Sequence, residues 1–325
     1  MDIILPVAGL GTRLRPQTWT KPKPLVPLAG RPMLAHVLDR VLPLQPEKVV
    51  FITGFLGDQI ERWAHECLNV PVAFVEQPEM RGQTDAIIRT RDIVQRDALI
   101  LFPDMLFEAD FSGLATTDAD VVMFTKEVED PSALGIAVVE DGRIVRLVEK
   151  PKDPISNLAV IGIYWVRNMP ELYTAIEEQM RRGISLKNEY FIADAIQLMI
   201  DAGAKVVSMP VTEWEDCGSA ENLLATNRYL LGKTGSHGPS GDSSVIVSPS
   251  IVADDATIEN STIGPYASIG PGAIVRNSVV RDSIIDERAS ITGANLERSL
   301  VGRRARVEGV SGRFNVGDDA VIAST

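Results

Sequence analysis

Only two cysteines, Cys67 and Cys217, occur in 325 residues, and they lie far apart. That excludes a disulfide framework and points to a reducing compartment. Histidine is nearly as scarce, with only His36, His65 and His237. No apolar run approaches the ~18 residues of a membrane span, so no membrane association is expected. Positive charge is short as well: 32 Lys and Arg against 44 Asp and Glu give a net charge of −12. A general nucleic-acid binder would be basic, so nucleic acid is not an expected partner. The chain enters an apolar strand at once, without a signal-peptide pattern, and the expected location is the cytoplasm.

What is present is an ordinary globular composition, 45% hydrophobic and 23% charged, in a chain long enough for two domains. The sparse basic residues are concentrated. Up to Pro32 there are Arg13, Arg15, Lys21, Lys23 and Arg31 against Asp2 alone. They sit in and after the run Ile3-Ile4-Leu5-Pro6-Val7-Ala8-Gly9-Leu10-Gly11-Thr12-Arg13-Leu14-Arg15-Pro16, an apolar strand feeding a glycine turn and a proline-stiffened loop. Glycines let backbone N–H groups approach phosphate oxygens. Arg13 would add a planar fork and Lys23 a point charge, so the loop suits a polyphosphate. Two commoner phosphate loops are excluded. No Gly-Lys-Ser/Thr ends the run, as a Walker loop requires. A dinucleotide fingerprint needs a third glycine, an immediate helix and a carboxylate about 20 residues on. Pro16, Pro22, Pro24 and Pro27 forbid that helix, and Leu28-Ala29-Gly30-Arg31-Pro32 has no carboxylate.

Residues 1–232 alternate between strand and helix patterns. The expected strands are Asp2–Ala8, Lys48–Thr53, Val72–Val75, Ala98–Phe102, Val121–Phe124, Gly135–Val139, Ile144–Glu149, Val160–Val166 and Lys205–Met209. Several are continuously apolar, as in a sheet covered on both faces. Met33, Leu34, Val37, Leu38, Val41 and Leu42 share one helical face, and Tyr190–Ile200 repeats the pattern. The alternation predicts a Rossmann-like α/β domain with a mostly parallel sheet and ligands at the strands' C-terminal ends. Residues 233–243 have linker composition, rich in Gly, Ser and Pro. From 244 to 325, Ile258, Ile263, Ile269, Val275, Val280, Ile285, Ile291, Leu296, Val301 and Val307 recur every five or six residues. Small and turn residues separate them. This hexapeptide period predicts a parallel β-helix with four or five coils of roughly 18 residues. An open coil end of so short a helix calls for cover by another subunit, so a homo-oligomer through the β-helix is expected.

The opening run, with Lys21-Pro22-Lys23-Pro24-Leu25 and Gly30-Arg31-Pro32-Met33, resembles the signature of the sugar-1-phosphate nucleotidyltransferases, the nucleoside-diphosphate-sugar pyrophosphorylases. Ala8-Gly9 stands where many relatives carry Gly-Gly. Many enzymes of that family carry a left-handed β-helix, as the C-terminal repeats here would form. The resemblance implies attack of a sugar-1-phosphate oxygen on the α-phosphorus of a nucleoside triphosphate. Two anions must meet, so a divalent cation, Mg²⁺, and basic groups are needed. It assigns Ala8, Gly9, Leu10, Gly11 and Thr12 to the nucleotide and makes Arg13 and Lys23 the catalytic cations. Asp104, in Phe102-Pro103-Asp104 where the family has Gly-Asp, and Asp216, in Trp214-Glu215-Asp216-Cys217-Gly218, would hold the metal. Gln77 and Gly82 would read a base, since an amide both donates to and accepts from a pyrimidine edge. Glu149 and Lys150 of the Glu-Lys-Pro segment, Gly135 after Leu134, Asn157 and Gly162 would line the sugar-phosphate site. Glu189, heading the expected Tyr190–Ile200 helix, would reach a sugar hydroxyl or serve only as a helix N-terminal carboxylate.

Gln77 leans toward dTTP or UTP, and glucose-1-phosphate with dTTP is the first choice, with UTP close behind. Mannose-1-phosphate with GTP is the alternative, because Pro-Lys-Pro-Leu also occurs in guanylyltransferases. Hexapeptide acyltransferases offer a second activity, but they use a histidine base in the β-helix and no histidine follows the linker. A catalytically silent scaffold relative would lack the metal carboxylates or the Arg/Lys pair, and all are present.

Overall fold

The computed structural model describes residues 1–324 except 133, 152–154, 236 and 239–242. The chain forms two compact units that are not consecutive in sequence. One comprises Met1–Gly9, Leu38–Pro103 and Phe107–Trp214; the other comprises Leu10–Val37, Asp104–Leu106 and Glu215–Thr325.

The first unit is built on a ten-stranded sheet. In chain order the strands of the α/β part are β1 (Asp2–Pro6), β2 (Pro27–Leu28), β3 (Arg31–Pro32), β4 (Val49–Thr53), β5 (Val72–Glu76), β6 (Ala98–Leu101), β7 (Met105–Ala109), β8 (Val121–Glu127), β9 (Gly135–Glu140), β10 (Arg143–Glu149), β11 (Leu158–Val166) and β12 (Val206–Asp216). The helices are α1 (Met33–Val41), α2 (Gly57–Cys67), α3 (Gln83–Ile88), α4 (Met169–Arg182), α5 (Ile192–Asp201) and α6 (Ala220–Thr234). The sheet order is β5-β4-β1-β6-β11-β8-β12-β7, with β9 added on β11 and β10 on β9. Strands β5, β4, β1 and β6 run parallel to one another, as do β8 and β12. Strand β11 runs antiparallel to β6, β8 and β9, and the β9–β10 hairpin is antiparallel. This is the Rossmann-like sheet expected, with its parallel half leading into the glycine turn. Every residue of β4 is buried, as helices on both faces of a parallel sheet require.

The expected strands are all present, displaced by one to several residues at their ends. Strand β7 and the two-residue strands β2 and β3 are additional. Strand β7 follows Pro103-Asp104 directly, so no turn separates it in the sequence from the apolar run of β6. Helix α1 buries Met33, Leu34, Val37, Leu38 and Val41 as anticipated, and Leu42 starts a separate 3₁₀ turn. Helix α5 begins at Ile192, not Tyr190, with Phe191 as an extended N-cap. Helix α6 is capped by Ser219, whose hydroxyl accepts from Asn222 N at 3.2 Å. It runs on through Thr234 and stops at Gly235 (φ +76°), because Leu230 and Leu231 are buried and carry the helix beyond the expected linker start. Of the expected 233–243 linker, 236 and 239–242 lie outside the described residues.

The second unit contains three five-stranded parallel sheets of two- and three-residue strands, stacked coil on coil and consistent with a left-handed β-helix. Val245 pairs with Thr262, 17 residues on; Ser268 with Ile284, 16 on; and Leu300 with Asn315, 15 on. The coils are therefore shorter than the expected 18 and tighten along the stack. Three aliphatic columns fill the interior, among them Ile258, Val275, Ile291 and Val307 in register. Buried serines join successive coils: Ser261 Oγ accepts from Ser278 N at 3.1 Å, and Ser278 Oγ from Ala294 N at 3.0 Å. This explains why small polar residues recur between the aliphatic ones.

Candidate active site

The glycine turn leaves β1 with Ala8 buried and Gly9, Leu10 and Thr12 at its open surface. Gly11 adopts φ +61°, a left-handed conformation that glycine takes without strain. A Cβ there would sit 3.1 Å from Lys23 Cβ and from Thr18 Cγ2, so Gly11 lets the turn close onto the Lys23 stem. Thr18 Oγ1 locks it by donating to the Gly11 carbonyl at 2.7 Å. Arg13 and Lys23 each lie in a single 3₁₀ turn, the prolines having prevented anything longer.

Four residues from three distant segments meet in this unit. Lys23 Nζ pairs with Asp104 Oδ2 at 3.0 Å. Cys217 N donates to the Asp104 carbonyl at 3.0 Å, which ties the Asp104 and Asp216 segments together. Asp216 Oδ1 accepts from Gly218 N at 2.9 Å and Oδ2 from Asn222 Nδ2 at 2.6 Å. A Cβ on Gly218 would lie 2.8 Å from Arg13 Nη2 and 2.8 Å from Asp216 Oδ1. The absence of a side chain at 218 thus leaves room for the Arg13 guanidinium and the Asp216 carboxylate to flank it. Burial pushes the Cys217 thiol up to about 12, so it stays neutral and unreactive among these charges.

Two carboxylates and no third acidic, histidine or cysteine partner compose the donor set; among the described residues no group of three such side chains could hold a metal. Asp104 is nearly half exposed and pairs with Lys23 through Oδ2, which leaves carboxylate surface open to a hard cation. A site of one or two carboxylates, completed by waters and substrate phosphates, is how Mg²⁺ binds. The residues fit that ion.

The first unit holds a second gathering. Glu149, at the end of β10, faces Gly135 in the β9 register, and a Cβ at 135 would lie 2.8 Å from Glu149 Oε2. Lys150 Nζ lies 3.5 Å from Glu149 Oε1 and 4.7 Å above the Phe191 ring. Lys150 itself takes φ +46°, a conformation costing a non-glycine residue about 1 kcal/mol or more, found where side chains are aimed for function. Burial raises the Glu149 carboxyl above its usual range; Lys150 opposes the rise, and Asp194 and Glu189 add to it. Asp194 is likewise raised by burial, against a hydrogen bond from Gln179.

Glu189 does not head a helix. It closes a tight turn in which Leu186 and Glu189 exchange backbone hydrogen bonds at 3.0 Å, three residues before α5. A helix-dipole role is therefore excluded by position. Asn157 is exposed just before β11, and its carbonyl accepts from Val128 N at 3.0 Å. Gly162 (φ +82°) sits in the β11 irregularity between Val160 and Tyr164, where its carbonyl accepts from Phe102 N at 3.1 Å.

Gln77 is buried after β5, and its Nε2 donates to Gly82 O at 3.1 Å and Asp85 Oδ2 at 3.0 Å. The donor half of the amide is engaged within the protein. Gly82 (φ +109°) is required for a different reason than base approach: a Cβ would lie 2.4 Å from Tyr190 N. Tyr190 N donates to Arg81 O at 3.0 Å and Thr84 N to Tyr190 O at 3.2 Å, so this loop is stapled to the segment after Glu189. Asp85, Asp194, Asn222 and Gly218 were not assigned roles from sequence. Only Gly218 carried a signal, as the last residue of the Trp-x-Asp-x-Gly segment.

Residues 2–233 match the family described as nucleotidyl transferase. A glucose-1-phosphate thymidylyltransferase of Streptomyces griseus is 28% identical over 94% of this chain and 93% of its own length. The UTP–glucose-1-phosphate uridylyltransferase AglF of Haloferax volcanii is 31% identical over 72% of this chain and 98% of its own. Among solved structures, a UDP-glucose pyrophosphorylase complexed with UDP-glucose superposes with a TM-score of 0.62 at 23% identity, over 71% of this chain and 98% of that one. With the motif, the sheet and the gathered charges in agreement, the chain belongs to the nucleotidyl transferase family.

Proposed function

We propose that this protein is a sugar-1-phosphate nucleotidyltransferase that joins glucose-1-phosphate to dTTP or UTP and releases pyrophosphate. The observation that carries the reading is the placement of Arg13 and Asp216 on either side of the bare Gly218, with the Lys23–Asp104 pair tied to the neighbouring Cys217 backbone. A sugar-phosphate oxygen forms a bond to the α-phosphorus as the bond to the bridging α–β oxygen breaks, and pyrophosphate leaves. The nucleophile is already ionised, so no side chain need remove a proton. Arg13 and Lys23 meet the charge that builds on the leaving pyrophosphate. Asp104 and Asp216 would hold Mg²⁺, which supplies further neutralisation of the phosphates. Lys150 receives the sugar phosphate and Glu149 accepts from sugar hydroxyls, a role that requires its carboxylate form. The Gln77 oxygen, free of its own amide's bonds, accepts from a pyrimidine N3–H, with Gly82 holding the loop in place. Names of relatives that act on glucose-1-phosphate with dTTP or UTP support the same substrates. Domain limits at 1–232 and 244–325, cytoplasmic location and oligomerisation through the β-helix belong to the same proposal.

The test is pyrophosphate release with Mg²⁺ across dTTP, UTP, GTP, CTP and ATP against glucose-, mannose-, galactose- and N-acetylglucosamine-1-phosphate. The expected result is a preference for glucose-1-phosphate with dTTP or UTP by about a hundredfold, or ~2.7 kcal/mol. A GTP and mannose-1-phosphate optimum would overturn the substrate assignment. No release from any pair by folded protein would overturn the activity.

A further inference from the structure

The loop that carries Arg13 and Lys23 has no regular structure beyond two single 3₁₀ turns. Groups that stabilise a transition state must be held to a fraction of an ångström, which such a backbone does not achieve alone. Its order comes from the β-helix. Gln17 is buried, and its Nε2 donates to Val316 O at 2.8 Å, to Asn315 Oδ1 at 3.0 Å and to Leu300 O at 3.4 Å. Thr20 Oγ1 donates to Asp318 Oδ2 at 2.7 Å. Pro16 rests on Gly317, where a Cβ would come within 3.0 Å of Pro16 Cβ. Lys21 Nζ donates to Asp286 Oδ2, with both side chains about nine-tenths buried. Four of the six residues 16–21, namely Pro16, Gln17, Thr20 and Lys21, are thereby fixed to the β-helix just ahead of Lys23.

We infer that Asp286 is a positioning residue for polyphosphate binding, acting through Lys21 on Lys23 and Arg13, with Gln17 as the second clamp. The inference rests on the proposed phosphate role of this loop and gives the β-helix a part in the active site itself. Lys21 is consumed by Asp286 and is not a third phosphate ligand. Without Asp286 the Lys21 ammonium is a buried, unpaired charge; it escapes to water and carries the loop with it. A buried pair that joins the loop to a rigid stack of coils is suited to such a role, because the stack does not yield.

Inorganic pyrophosphate is the probe, because it carries neither base nor sugar. Its affinity is measured by titration calorimetry with Mg²⁺ on the full-length protein, with folding followed by circular dichroism. Asp286→Asn weakens pyrophosphate binding about tenfold and raises the KM for the triphosphate, leaving the KM for the sugar phosphate unchanged. Gln17→Met, an isosteric change that leaves Val316 O bonded to Gly302 N, weakens it about threefold and covers the case in which Asp286→Asn does not fold. Asp282→Asn is the control. It breaks a second β-helix pair, to Arg228 of α6 at 2.6 Å, remote in sequence from the loop, and leaves pyrophosphate binding as it was. Wild-type affinity in whichever of the two loop variants folds overturns the inference. So does an equal loss in Asp282→Asn, which would mark a general effect of weakening the β-helix. A wild-type protein that does not bind pyrophosphate overturns the phosphate role of the loop, and the inference with it.

Discussion

Lys23 meets an Asp104 side chain that is 47% exposed, whereas Lys150 meets a Glu149 side chain that is 15% exposed. The two pairs lie in different units and are built by different means. The Lys23 cluster draws on the loops around residues 13, 23, 104 and 216, and its fit depends on two glycines, Gly11 and Gly218. The Glu149 cluster sits at the end of a hairpin, where strand register alone places Gly135 opposite the carboxylate. The first keeps its carboxylate wet, in keeping with the cation-binding role proposed for it. The second desolvates its carboxylate, which raises it above the usual range and works against the ionised form that the proposed acceptance from sugar hydroxyls requires. Charge handling and hydroxyl recognition are therefore separable, and variants should separate them.

The largest effect belongs to the wet cluster. Asp104→Asn, or Lys23→Ala, should lower kcat roughly a thousandfold in protein whose circular dichroism is unchanged. Near-normal turnover in folded Asp104→Asn would remove the metal assignment. Next is Gly218→Ala. Its methyl would lie 2.8 Å from both Arg13 Nη2 and Asp216 Oδ1, so displacement of the guanidinium should cost about a hundredfold in kcat/KM. Gly218→Ala with wild-type kinetics would show that Arg13 need not lie beside Asp216.

The buried cluster should respond in KM and in pH dependence. Glu149→Gln should raise the KM for the sugar phosphate about tenfold, the worth of a hydrogen bond to a charged acceptor. The folded-state value of Glu149 lies above the usual 4.5, so its protonated form persists to higher pH than in the unfolded chain. Lowering the pH through that raised value should therefore weaken sugar-phosphate binding in the wild type, and Glu149→Gln should flatten the profile. The sign for stability is the reverse. A raised carboxylate favours the native state below its unfolded value, and that contribution is lost as pH rises through the native one. Smallest is Gly135→Ala, whose methyl meets only the movable end of Glu149 and should shift the same KM by about fivefold or less.

The same contrast governs what could be read in advance. Arg13, Lys23 and the glycine turn were legible because the chemistry and the motif occupy one continuous stretch. The aliphatic columns of the β-helix were legible because the period repeats, although the coil length came out at 15–17 residues where 18 was expected. The role of Gly218 was not, because its partner Arg13 lies some two hundred residues away in sequence. Gly82 has a structural demand that no local pattern announces: it admits the Tyr190 backbone. Gln77 was read with both halves of its amide available, and the buried Asp85 eight residues on takes the donor. Asp194 was hidden within an apolar helix face, visible only once α5 brought it within electrostatic reach of Glu149.

Steady-state KM values for both substrates, measured side by side in Lys23→Ala and Glu149→Gln, test the separation most directly. Lys23→Ala should raise the KM for the triphosphate and lower kcat with little change in the KM for the sugar phosphate, and Glu149→Gln should do the opposite in KM. Equal rises in both KM values in both variants would contradict that separation.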